Sequence, residues 1–560
     1  MPVPAQNQQY ENFIIRYKQN THGGFDYESD ETFQIVNDLF GILYVPMQEV
    51  PELELSSYSY SSIPRCYTYM DTGALSTSGV TRLHNHPYLK LQGKGTLVAV
   101  IDSGIDYLHP AFHNGVQSKI FSIWDQTLEG GADGRIPFGR EFGRQQIEQA
   151  LASENPWEIV PSSDTNGHGT RSAATAAGYR IEKDNFCGAA PEAEIVIVKL
   201  KQAKRYLTES FFVPDGVTAY EENDVIAAVK YLEGYAVSMR RPLVICMGIG
   251  TNMGNHEGQS LLAEYLNSVA TRRSRSVVVC GGDEGNSAHH FIGYATAGMK
   301  QSTENVEIRV DAGEKGFVAE LWGTMPGTHA ISIRAPGGEI TDPVDFKVQE
   351  TREFTFIYEK TVIRVDHSLV EPGSGGELIL FRFQDPTPGI WTIQVTTTGA
   401  EYDENGNFHI WLPITQFMGG NTYFLRPSPY VTLTEPGNTR EVITTTYYQD
   451  SNNSFYGESG RGFSRRGNIK PELCTPGVEI STVLGSRTGS AFGAALLAGI
   501  CAQFLQWAVV DGRERWLESR EVKNYLIRGA VRPPGIQFPS REWGYGQVNI
   551  AKTFDVIAGI

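Results

Sequence analysis

Three short stretches of this chain bring together residue types that move protons. VAVIDSGIDYLHPAF at 98–112 is an apolar, β-branched run that ends in Asp102, so it reads as a buried parallel strand delivering a carboxylate at its C-terminal end. Sites of open α/β sheets form at that edge. DTNGHGTRSAATAAG at 164–178 sets His168 at the start of a helix of small residues, and GSAFGAALLAG at 489–499 opens a second Ala/Gly-rich helix. Taken singly, an Asp after a strand is a turn residue and a lone His a structural one. In this chain order they fit a relay: a carboxylate orients an imidazole, and the imidazole takes a proton from a hydroxyl and returns it to a leaving amine.

These motifs resemble those of the subtilisin-like serine proteases. GSAFGAALLAG aligns without a gap on that family's Gly-Thr-Ser-x-small-small-(x)3-Ala-Gly segment, with Gly489 on the Gly, Ser490 on the Thr and Ala491 on the nucleophilic Ser. Sliding by one residue, to make Ser490 the nucleophile, would put Phe492 on a small position and break the Ala498-Gly499 match. The resemblance therefore implies alanine at the nucleophile position, where no oxygen is available to form an acyl-enzyme. GAAPEAEIVIVKLK at 188–201, LVICMGIG at 243–250, VVVCGGDEGN at 277–286 and IKPELCTPGVEI at 469–480 resemble further segments of the family.

In the third of these, Asp283 replaces the Asn that would donate to the oxyanion. An ionised carboxylate repels a developing alkoxide, whereas a protonated one can donate; losing one such donor typically costs roughly 2.7–4 kcal/mol. The resemblance also implies that Gly248, Ile249 and Gly250 form one wall of the first specificity pocket and Gly281 and Gly282 the other. Their backbone groups would pair with an extended protein or peptide substrate. The alternative, that these glycines only permit tight packing, stays open. No match to the family's calcium sites is found, since Ala111 and Phe112 stand where an acidic ligand would follow the catalytic Asp. No metal and no cofactor are expected.

A chain of 560 residues exceeds one protease domain, so several domains are expected. With 40% hydrophobic residues it can bury a sizeable core, and a net charge of −17 argues against nucleic acid as a partner. Six cysteines without metal-like spacing read as reduced core residues of an intracellular protein. MPVPAQNQQYENFIIRYKQ lacks a basic stretch followed by an apolar run, which predicts no secretory signal. No run approaches the ~18 apolar residues of a membrane span. The expected setting is cytoplasmic or spore-associated.

The fold class expected is α/β: a subtilisin-like parallel sheet with helices on both faces, an N-terminal α/β prodomain and an inserted β-sandwich or jelly roll. Residues 1–70 read as the prodomain, lying in the cleft, with autoprocessing placed at Tyr69, Met70, Asp71, Thr72 and Gly73. Residues 71–294 and 436–560 read as the two parts of the protease-like domain. In the first part, 122–159 reads as a loop followed by a helix. Between the two parts, 295–435 alternates short β-type runs with Gly/Pro turns, as in NVEIRVDAG, GFVAELWG and GIWTIQVTTTG.

The layout and the phrases IPRCYTYMDTGALSTSGV and MGIGTNMGNHEGQSLL resemble the Csp proteases of spore-forming clostridia. That group implies two accounts of Ala491: an active protease altered to a trapped, uncleaved precursor, or a natural pseudoprotease acting as a binding and signalling module in germination. Other classes fit less well. Gly248-x-Gly250 is followed by Gly254, one residue too late for a dinucleotide fingerprint. His84-x-His86 and His289-His290 do not make a zinc hydrolase motif.

Overall fold

The computed structural model describes all residues except 1–2, 18–31, 38, 51–52, 56, 70–76, 85–88, 131–135, 297–298, 346–348, 400–406 and 560. Its centre is a nine-stranded sheet. Leu97–Asp102 lies in the middle, parallel to Glu194–Lys199 on one side and to Leu243–Met247 on the other. The parallel run continues through Arg275–Cys280, Ile443–Gln449 and Leu473–Pro476 in one direction and Ile120–Asp125 in the other. Every residue of Leu97–Asp102, Leu243–Met247 and Arg275–Cys280 is buried. Unbroken apolar runs suit strands covered on both faces.

Alternate residues of these strands feed two cores, as a side-chain period of two requires. Val98, Val100, Val244 and Val278 meet the helices His168–Ala177 and Ser490–Leu505, whereas Ala99, Ile101, Ile245 and Val279 meet Glu222–Met239 and Leu261–Ala270. Small residues let the first helix pair approach closely: a Cβ on Gly499 would fall on the Ala176 carbonyl oxygen. Ser490–Val510 is long and apolar enough to cross a membrane, but 83% of its most apolar window is buried inside the protein. It is the core helix of this sheet.

The segment 122–159 departs from a plain loop and helix. Arg140–Gly143 pairs antiparallel with Ile120–Asp125 before the helix Arg144–Leu151 begins. Pairing there covers the sheet edge, which alternation within the segment alone does not announce.

Ahead of the central sheet, Tyr10–Arg16, Phe33–Ile35 and Phe40–Pro46 form a three-stranded antiparallel sheet. Its Ile14, Phe40, Ile42 and Tyr44 join the core over Glu222–Met239 and Leu261–Ala270, with Phe40 edge-on to Tyr265 at 5.6 Å. Among its described residues there are strands and short 3₁₀ turns, and residues 18–31 lie outside the described ones.

Beyond the Arg275–Cys280 strand, antiparallel sheets of six and four strands face each other over a core that includes Trp391, Phe381, Phe383 and Ile393. The first of their strands, His290–Gly293, starts ahead of position 295. It pairs with the distant Phe408–Trp411, so its membership is set by long-range register rather than local pattern.

Candidate active site

Asp102 is the last residue of its strand and wholly buried. Its Oδ1 accepts from the Ser103 amide at 2.7 Å and from His168 Nδ1 at 2.7 Å. His168 is the first residue of its helix, following Gly167 in the left-handed region at φ 75°, and its amide donates to Asn166 Oδ1 at 2.7 Å. The next residue must be glycine, because a Cβ on Gly169 would land on the Gly104 carbonyl oxygen and 3.1 Å from the Asp102 Cβ. That approach brings the imidazole onto the strand end.

A polar clamp around this contact escaped the motif reading. Asp164 accepts from the Gly167 and Thr170 amides at 3.0 and 2.8 Å and from the Thr170 hydroxyl at 2.6 Å. Ser103 Oγ donates toward Asp164 and Asn166 and accepts from the Gly169 amide at 3.0 Å. The Asp164-x-Asn166 spacing just before a helix is a capping signature that could have revealed it.

Ala491, buried on the second position of its helix, faces the same place. A Cβ on Gly248 would lie 2.9 Å from the Ala491 Cβ and 3.4 Å from His168 Cε1. The structure thus gathers Asp102, His168, Gly248 and Ala491 at one point. Gly489, just before this helix, holds φ 142°, where a side chain would be strained.

Asp283 follows Gly282 and receives the Ser490 amide on Oδ1 at 3.0 Å, so it caps the helix that carries Ala491. The residue is half-buried, and burial of the carboxyl pushes it up to about 7, against the pull of the Tyr447 hydroxyl and the Ser490 amide.

Gly250, Gly281 and Gly282 all pack against one segment that was not foreseen. A Cβ on Gly250 or on Gly282 would lie 2.5 Å from Thr434 Oγ1, and one on Gly281 would lie 3.0 Å from Leu433. Thr434 donates its amide to the Gly281 carbonyl at 3.1 Å, while Glu435 and Thr251 exchange backbone bonds at 2.8 and 3.0 Å. The chain returning from the β-sandwich therefore packs against all three glycines, a placement with no local sequence signal.

Ile249–Gly250 carries a further strand. Cys66–Tyr69 runs antiparallel to it, with Ile249 opposite Tyr69 and Gly250 opposite Thr68. On its other side Cys66 and Tyr67 pair with Glu221 and Tyr220. Of the expected processing residues, Tyr69 closes this strand; Met70, Asp71, Thr72 and Gly73 lie outside the described residues. All six cysteines are free. Among the described residues no group of three or more His, Cys, Asp or Glu side chains is placed to hold a metal.

Comparison with known proteins defines the class. Residues 93–313 match the model of the subtilase family, peptidase S8. A subtilisin from Bacillus sp. (strain TA39) is 22% identical over 311 residues, 52% of this chain and 61% of the subtilisin. The subtilisin-like protease SBT1.2 of Arabidopsis thaliana is 23% identical over 270 residues, 42% of this chain and 34% of that protein. The chain thus spans less than two thirds of the length of these curated relatives. Residues 93–313 thus carry a domain of the subtilase family, and the chain has the subtilisin-like fold. Among solved structures, the CspB protease of Clostridium perfringens superposes with a TM-score of 0.74 at 29% identity, covering 86% of this chain and 96% of that one.

Two substitutions probe this geometry. Gly169→Ala forces its helix off the Asp102 strand and lowers stability by about 2–3 kcal/mol, measured by denaturant unfolding. Asp283→Asn keeps the acceptor for the Ser490 amide but cannot ionise. A carboxyl held near 7 in the fold, against 3.8 normally, gives stability that is full below pH 4 and drains away as pH rises toward 7. Paired melts should therefore match at pH 4, whereas at pH 8 Asp283→Asn is more stable by about 2 kcal/mol, less than the full shift implies because the carboxyl keeps an edge toward solvent.

Proposed function

We propose that this chain is the uncut precursor form of a subtilisin-type serine endopeptidase, with residues 1–70 as its prodomain and Ala491 in the place of the nucleophilic serine. The observation that carries this reading is the strand Cys66–Tyr69 lying on Ile249–Gly250, beside an intact Asp102–His168 pair. An extended segment added to an exposed edge is how a polypeptide substrate is held. The described strand ends at Tyr69 opposite Ile249, and a Cβ on the neighbouring Gly248 would abut both Ala491 and His168. The bond we assign for cleavage is Met70–Asp71.

With Ala491→Ser the steps are those of acyl transfer. The introduced hydroxyl oxygen attacks the Met70 carbonyl as His168 takes its proton, Asp102 steadies the imidazolium through Nδ1, and His168 passes the proton to the departing Asp71 amine. Water then releases the acyl group by the same relay. The neutral form of Asp283 offers a proton to the oxyanion, and the Ser490 amide bond holds the carboxyl at the helix start. Alanine has no atom for the first step. The relationship to the C. perfringens CspB protease supports the proteolytic reading.

A second reading, a pseudoprotease that acts by binding, draws on Ala491, which lacks the oxygen that peptide hydrolysis uses, and on Asp283, whose ionised form would repel the oxyanion. One substitution separates the two. Ala491→Ser in the full chain should yield a fragment whose N-terminal residue is Asp71 and should label with a fluorophosphonate, while Ala491→Ser combined with His168→Ala stays intact, slower by at least ~10⁴-fold. An Ala491→Ser chain that stays full length and unlabelled would sink the protease reading in favour of the binding one.

A further inference from the structure

At the edge of the central sheet opposite the cleft, several chain segments meet. Because Leu97–Asp102, Leu243–Met247 and Arg275–Cys280 are parallel neighbours, their starts lie side by side. The Leu97 amide donates to the Pro242 carbonyl at 2.9 Å, the Leu243 amide to the Ser274 carbonyl at 3.0 Å, and the Ser274 amide to the Leu517 carbonyl at 2.6 Å. Arg241 Nε donates to the Gly95 carbonyl at 3.1 Å, and a Cβ on Gly95 would lie 2.9 Å from Val510 Cγ1. Segments 93–95, 240–242, 272–274 and 510–517 therefore form one continuous surface.

Lys94, Arg240, Arg273, Arg513 and Arg515 are exposed on it, against the exposed acids Asp511 and Glu514 of the same segments. The acids that border it are already paired, Glu194 with Arg144 and Arg241, and Glu233 with Arg272 and Arg275 at 2.6 Å each. In a chain of net charge −17, this local excess of cations selects an anionic partner. Apolar side chains stand among the cations. Trp516 is 69% exposed, with the Arg273 guanidinium 4.1 Å from its ring centroid. Val510 is 44% exposed, and Val237, 64% exposed, lies one helical turn beyond Glu233, the partner of Arg272. A nucleic-acid backbone gives exposed valines nothing to bury against. A bilayer suits both kinds of group, since its phosphates meet the arginines while the headgroup boundary takes the tryptophan and the aliphatic side chains.

We propose that this edge is a docking surface for a lipid bilayer with anionic headgroups, Trp516 entering the boundary of the acyl layer and Arg273, Arg513 and Arg515 meeting the phosphates. The attachment is peripheral and leaves the helix Ser490–Leu505 in its place over the sheet. The bound edge is the one opposite Asp102, so a chain lying on the bilayer presents its cleft to the water. Docking is independent of the proteolytic reading, because neither His168 nor Ala491 belongs to the surface.

Vesicle sedimentation of the full chain at low salt tests this. Vesicles of three parts phosphatidylcholine to one part phosphatidylglycerol should bind the chain at least ~10-fold more tightly than phosphatidylcholine alone, and the preference should fade at high salt. A cation near such a surface contributes about fivefold in binding. Arg513→Gln together with Arg515→Gln should therefore weaken binding at least ~10-fold with the thermal midpoint unchanged; if the double variant does not fold, Arg513→Gln alone replaces it. Phosphatidylglycerol brominated in its acyl chains should quench the tryptophan fluorescence of the bound chain, and Trp516→Phe should remove that quenching. Equal binding to the two vesicle types, binding to neither, or binding indifferent to the arginine substitutions overturns the proposal. Binding to polyglutamate or single-stranded DNA as tightly as to the anionic vesicles, without quenching by brominated lipid, also overturns it and assigns the edge to an acidic protein or a nucleic acid. A dimer that Trp516→Phe dissolves, in a chain that ignores vesicles, assigns it to a second copy.

Discussion

The rest of the structure depends on the burial of one carboxylate, Asp102, at the end of a fully covered strand. An ionised group in that position is tolerated only with hydrogen bonds to it. The Ser103 amide supplies one from the chain itself; the other must come from His168, which means that a helix has to touch the strand end. Gly169 permits the touch, Gly104 receives it, and Asp164 with Thr170 caps and anchors the helix so that the ring cannot swing away. The small-residue composition of both central helices follows from the same demand, because two helices must fit over one sheet face while their first turns converge.

Convergence at the sheet edge then determines where the remaining parts attach. The carboxyl ends of Leu97–Asp102, Leu243–Met247 and Arg275–Cys280 lie side by side, and each is continued by a segment that takes part in the cleft. The β-sandwich hangs between the third of these strands and Ile443–Gln449, so its outgoing and returning chains both pass the site. On the way out, Glu284 binds His289 and Thr415; on the way back, Thr434 packs against Gly250 and Gly282. The insert is therefore not an appendage whose removal would leave the cleft unchanged.

How much of this was legible in the sequence follows the range of the interactions. Asp102 and His168 could be placed because each sits in a short motif with its own local reason, a strand end and a capped helix start. The sandwich strands were readable wherever alternation and turn residues coincide, as in GFVAELWG and GIWTIQVTTTG. What escaped was chosen by distant partners. His290–Gly293 becomes a strand because Phe408–Trp411 lies beside it, and Arg140–Gly143 because Ile120–Asp125 offers an edge. Thr434 and Glu435 reach the cleft only through closure of the whole insert.

Asp283 and Ala491 are best understood together, through the helix that joins them. Gly489, held at φ 142°, ends the approach to that helix and offers no side chain to cap the Ser490 amide. Such amides at a helix start attract negative charge. Asp283 answers this with Oδ1, and crowding by protein then keeps a proton on the carboxyl up to about pH 7. One oxygen is thus committed to the helix, and a neutral carboxyl can donate where an ionised one would repel a developing oxyanion. An aspartate in this position is compatible with hydrolysis near neutral pH and opposes it above. The alanine has no such ambiguity, because no protonation state supplies an oxygen. Position 491, rather than 283, therefore decides whether the assembled relay has anything to activate.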